Sequence, residues 1–62
     1  MQQLSNTELE NLRHLIMEEQ VTADKAGFFA QQVANSQLKS HLDRKYQMCR
    51  QNVQKLSQFL SH

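Results

Sequence analysis

From Leu9 to Val33, apolar or small residues stand at Leu9, Leu12, Ile16, Ala23, Ala26, Ala30 and Val33, a spacing of three, four or seven. Only an α-helix turns residues so spaced onto one face. The step after Ile16 lands on Glu19, so the ladder carries an acid at its middle. Such a seam is either a packing surface with a polar register pin or the remnant of a metal-binding bundle. No proline and one glycine, Gly27, occur in the 62 residues, and only 6% of the residues are aromatic. That balance favours helix over sheet.

The start of the first helix is written in Ser5-Asn6-Thr7-Glu8. Ser5 can cap, Glu8 can reach back to the Ser5 amide, and Leu4 can fold over as a hydrophobic staple. Helix 1 is expected over about 6–34, roughly 43 Å at 1.5 Å per residue. Gly27 costs about 1 kcal/mol inside it, which a neighbour seated on the bare backbone would offset. Asn35-Ser36 is the expected turn, with Asn35 able to close one helix in the left-handed conformation and to cap the next. Helix 2 then runs over about 36–60 on the ladder Leu38, Leu42, Tyr46, Cys49, Val53, Leu56 and Leu60. A turn this short folds the helices back antiparallel, so the expectation for 1–62 is one all-α helical-hairpin domain.

Closing the hairpin about Asn35 sets a register: Leu9 faces Leu60, Leu12 faces Leu56, Ile16 faces Val53 and Ala23 faces Tyr46. Glu19 falls opposite Cys49 and Arg50, within reach of the Tyr46 hydroxyl and the Arg50 guanidinium, which would satisfy it without a metal. A lone hairpin cannot cover the remaining apolar residues. Leu15, Thr22, Phe29 and Val33 form a second stripe, Met17, Val21 and Phe28 lie on another side, and Met48, Asn52 and Phe59 are left over on helix 2. Each large apolar side chain is worth about 1.5–3 kcal/mol when buried. The expected remedy is pairing of two hairpins into a four-helix bundle, a homodimer or higher homo-oligomer. The expected interface is Leu12, Leu15, Ile16, Ala23 and Ala26 with Phe29, Tyr46, Val53, Leu56 and Phe59.

Chemistry is sparse. Glu18 and Glu19 are the only mid-helix acidic pair bordering the seam, and Tyr46 and Cys49 stand where a carboxylate-bridged bundle needs Glu-x-x-His. Glu19 is therefore at most a vestigial metal-ligand position. His14 and His41 are expected to face solvent, far apart, and His62 is terminal. Cys49 could act as a nucleophile only beside a base; Arg50 could lower its pKa, but no His is expected near, so it reads as a small packing residue. Catalytic triads and phosphate loops are absent from the sequence, and no cofactor is expected. A net charge of +1 gives no field for nucleic acid or anionic lipid, and no apolar run suits a membrane span. A lone cysteine excludes an internal disulfide, and the opening residues lack the regions of a signal peptide, which points to a cytoplasmic, reducing setting.

With both helices laid out, the chain resembles the spore coat protein F family, small ferritin-like proteins of endospore-forming bacteria. The likeness rests on Leu4-Ser5 with Glu8-Leu9, His14-Leu15-Ile16 leading to Ala23, Lys25 and Ala26, the turn Asn35-Ser36-Gln37-Leu38-Lys39, and the ending Leu56 with Phe59-Leu60. It implies a ferritin-like bundle in or around the spore coat, with other coat proteins as further partners. That family's second helix often carries His or acid where this chain has Met48, Cys49 and Arg50, a departure that weakens a metal function. The expectation is a non-enzymatic structural or assembly protein. The alternatives are a metal-binding or redox relic of the ferritin-like fold, and a small helical adaptor on a larger protein.

Overall fold

The computed structural model describes residues 4–60. Two helices make up the fold: α1, Asn6–Gln32, and α2, Ser36–Ser57, packed against each other along their lengths. The hairpin measures 46 × 17 × 12 Å, one layer of two helices. The expected hairpin is therefore present. Residues 1–3 of the expected tail and His62 lie outside the described part.

α1 begins as its first residues dictate. The Ser5 hydroxyl accepts from the Glu8 N–H at 3.1 Å, and Glu8 Oε1 accepts from the Ser5 N–H at 2.9 Å, a complete capping box. Its end differs from the expected position near residue 34. The helix stops at Gln32, and Val33 leaves in an extended conformation, φ −80° and ψ 143°. Asn35 is not left-handed; its φ is −71°, and no described residue has positive φ. Asn35 serves the next helix only, its Oδ1 accepting from the Leu38 N–H at 2.8 Å. The last turn of α1 holds no basic residue, and Lys39 of α2 supplies the charge by donating from Nζ to the Ala30 carbonyl at 3.1 Å. A cation at that point also suits the negative end of the helix dipole.

α2 ends at Ser57 instead of running on to Leu60. Residues 58–60 tighten into turns in which Phe59 N–H donates to Leu56 O and Leu60 N–H to Ser57 O, at 3.1 and 3.0 Å. Such three-residue turns rotate side chains off the α-helical stripe. Leu60 is 39% exposed there.

The core is small: Ile16, Ala23, Ala26, Ala30 and Cys49 are buried, and no large side chain is fully buried. The three alanines give α1 a low surface that lets α2 approach closely. Leu9, Leu12, Leu42, Tyr46, Val53 and Leu56 are half-buried around them. The Tyr46 ring rests one turn beyond Ala23, on Gly27. A Cβ built at Gly27 would stand 3.1 Å from Tyr46 Cδ1 and 3.3 Å from Cε1. The direction of the shift has a physical cause. Helical side chains lean toward their own N-terminus, so those of α2 lean toward the turn and those of α1 away from it.

Candidate functional site

The two broad faces of the hairpin differ in character. On one, Gln20, Asp24, Arg50 and Gln54 border a shallow groove with Ala23 and Val53, and Asp24, Phe28, Lys39 and Asp43 surround the Tyr46 ring beside it. The Arg50 guanidinium lies over that ring, 6.0 Å from its centroid, at the outer limit of a cation–π contact. This face mixes polar and apolar groups.

The other face is largely apolar. At its open end Leu4, Leu12, Leu15, Leu56 and Phe59 line a groove with Glu8 and Asn11 on the rim. Leu4 does fold over, against this groove. From there the α1 stripe continues through Thr22 and Ala26 to Phe29, and the α2 stripe through Asn52 and Met48 to Lys45 and His41. Leu15 is 51% exposed and Phe29 50%, and Met48 and Phe59 are also exposed. On a chain this small they make an unusually large exposed apolar patch.

Glu19 sits between the two stripes. It is half-exposed, not buried, and its carboxylate Oε2 accepts from Asn52 Nδ2 at 3.4 Å. The expected partners, Tyr46 and Arg50, are not the ones it uses: Glu19 leans away from the turn and so reaches Asn52, while Arg50 turns back over Tyr46. Cys49 does lie beside Glu19, as the register requires, and is only 2% exposed. Burial pushes its thiol above the usual range, the adjacent Glu19 carboxylate pushes it further, and Lys45 pulls it partly back. Arg50, expected to lower that pKa, is not among the groups that do so. A thiol so placed is a poor nucleophile.

Of the ten expected interface residues, Ile16, Ala23 and Ala26 are consumed inside the hairpin, and Leu12, Tyr46, Val53 and Leu56 are half-buried at its seam. Leu15, Phe29 and Phe59 are the exposed ones. His14 and His41 are both exposed. Among the described residues no three of His, Cys, Asp or Glu are grouped so as to hold a metal ion, so Glu19 lacks companion ligands. Spacing alone does not point to Asn52 as the partner of Glu19; its place one stripe away on the opposite helix is the available signal.

No known protein family, curated protein or solved structure matches this chain. No helix among the described residues is long and apolar enough to cross a membrane. What the chain offers is a surface, crossed at its middle by one polar pair.

Proposed function

We propose that this chain is a non-enzymatic assembly protein whose apolar face pairs two hairpins into a four-helix bundle. One observation carries the reading: Leu15, Phe29, Met48 and Phe59 stand exposed on one face of the hairpin, a larger apolar patch than so small a chain ordinarily leaves to water. The interior argues the same way. With one cysteine there is no disulfide within the chain, and a core of one isoleucine, three alanines and a cysteine is thin for independent stability.

Sedimentation equilibrium over the micromolar range tests this directly. The expected result is a dimer whose helicity falls as it dissociates, and a stably folded monomer at those concentrations would overturn it. A second apolar stripe, Met17, Val21 and Phe28, lies away from the face described above and stays exposed, Phe28 at 64%. It supports growth of dimers into larger arrays, as a coat component would need. The spore-coat setting, in turn, is supported by the motifs from Leu4-Ser5 to Phe59-Leu60. Fractionating host spores tests it: recovery in the coat layers is expected, and confinement to vegetative cells would remove it.

A further inference from the structure

The apolar face carries opposite charges on its two helices. On α1 the stripe Glu8, Asn11, Leu15, Glu18, Thr22, Ala26 and Phe29 advances by three or four residues and is acidic, with Glu19 beside it. On α2 the stripe His41, Lys45, Met48, Asn52, Lys55 and Phe59 advances the same way and is basic. Lys25 is the one cation of α1 near this side, at its outer rim.

We infer that the partner on this face is a second copy related by a two-fold axis parallel to the helices, so that α1 of each copy lies over α2 of the other. The inference rests on the self-association proposed above and adds its geometry. A face-to-face pair of hairpins has two ways to close. If the second copy is turned end for end, α1 packs on α1 and α2 on α2, setting acid on acid and base on base. If the open ends stay together, every acidic stripe meets a basic one. Like charges brought together across an interface carry a penalty that opposite charges avoid, so the second arrangement is selected.

Levels along the bundle agree. Across the hairpin, residues whose numbers sum to about 69 lie level, which places Lys55 near residue 14 of α1. The lean of the side chains then moves the Lys55 head toward the turn and the Glu18 carboxylate away from it, so the two converge between copies. Phe29 falls against the stretch from His41 to Lys45 of the second copy, where a cation can sit on its ring.

The Glu19–Asn52 pair then takes a defined role. It lies in the seam between α1 and α2 on this face, and the two-fold axis runs along that seam. The pair and its symmetry copy form one polar layer inside the bundle. Asn52 uses one amide hydrogen on its own Glu19, leaving the other to donate to Glu19 of the second copy. A single polar layer in an apolar bundle fixes register and partner number.

Cysteine pairing between mixed chains tests the geometry. In a Cys49→Ala background, chains bearing Leu15→Cys are mixed with chains bearing Lys55→Cys and oxidised. One cysteine per chain prevents disulfides within a hairpin, and both positions are exposed, so the fold is kept. The expected result is at least tenfold more covalent dimer from this mixture than from Leu15→Cys mixed with Thr22→Cys. The reverse preference, with sedimentation showing a dimer, would overturn the axis proposed here and leave self-association standing. A monomer in sedimentation would remove self-association itself.

Discussion

Replacing Gly27 with alanine sets two effects of similar size against each other. Alanine in place of glycine in a helix interior stabilises by about 1 kcal/mol. The new Cβ, however, would lie 3.1 Å from Tyr46 Cδ1. Carbon pairs prefer about 3.5–4.0 Å, so the ring must give by a few tenths of an ångström. In a closed core such overpacking costs about 1–3 kcal/mol. Here the ring is only half-buried and borders an open groove among Asp24, Phe28, Gln31, Lys39 and Asp43, so it can tilt. The cost then falls at the low end, and Gly27→Ala should change stability by less than about 0.5 kcal/mol. With Tyr46→Ala already present there is no ring to meet, and the same change should stabilise by the full amount, about 1 kcal/mol. The double-mutant cycle therefore reads a coupling near 1 kcal/mol, several degrees in Tm for a domain of this size. Melts followed by far-ultraviolet circular dichroism measure it, at one fixed chain concentration because association shifts apparent stability. A coupling below about 0.3 kcal/mol, the limit at which separate sites count as additive, would refute the seating of Tyr46 on Gly27 and the register built on it.

The remaining predictions concern the core, the cap and the thiol. Ile16→Asp places a carboxylate at the largest buried aliphatic of the core and should cost about 4 kcal/mol, enough to abolish both helicity and dimer; unchanged dichroism and sedimented mass would contradict it. Ser5→Ala removes the hydroxyl of the capping box and should cost about 1 kcal/mol in a urea melt, while a change within error would mean that α1 does not depend on this cap. The Ser5 amide and hydroxyl hold the Glu8 carboxyl below its ordinary 4.5, so its contribution is present above that pH and is lost as pH falls through the lower folded value. Glu8→Gln should flatten that part of the acid stability curve, and a curve identical to the parent's would count against the capping box. Cys49 should react with iodoacetamide more slowly than free cysteine at the same pH and faster in Glu19→Gln, because burial and then Glu19 raise its pKa; a rate equal to free cysteine's would contradict its buried position.

Much of the hairpin is legible in the spacing of residues. The ladders identify Ile16, Ala23, Ala26, Ala30 and Cys49, which are the buried residues, and Ser5 with Glu8 marks the start of α1. The helix ends are harder to read because no glycine or proline stands near Val33 or Gln58 to stop the chain. One of those ends is completed from the other helix, by Lys39 on Ala30, a contact no local pattern announces. The partners of Glu19 and Tyr46 escape for a different reason. Spacing compares levels of the backbone, but side chains on antiparallel helices lean in opposite directions along the hairpin. Tyr46 therefore reaches past Ala23 to Gly27, about one turn on, and Glu19 reaches past Arg50 to Asn52, about half a turn on.

Glu19 is also half-exposed and not enclosed within the hairpin, and this alters what the residue can be for. A buried carboxylate would need satisfaction within one chain, and the hairpin would be complete. A half-exposed carboxylate tied to an amide at the middle of an apolar face is useful chiefly when something covers it. Its neighbours on that face include apolar residues of both helices, with acids on α1 and bases on α2. In the arrangement proposed above, a second copy with α1 over α2 meets these conditions. It also turns a hydrogen bond that contributes little in water into a polar layer shielded from it, where an unmatched partner would leave Glu19 and Asn52 buried and unpaired. On the proposed pairing, the acid that interrupts the α1 ladder acts in choosing the partner.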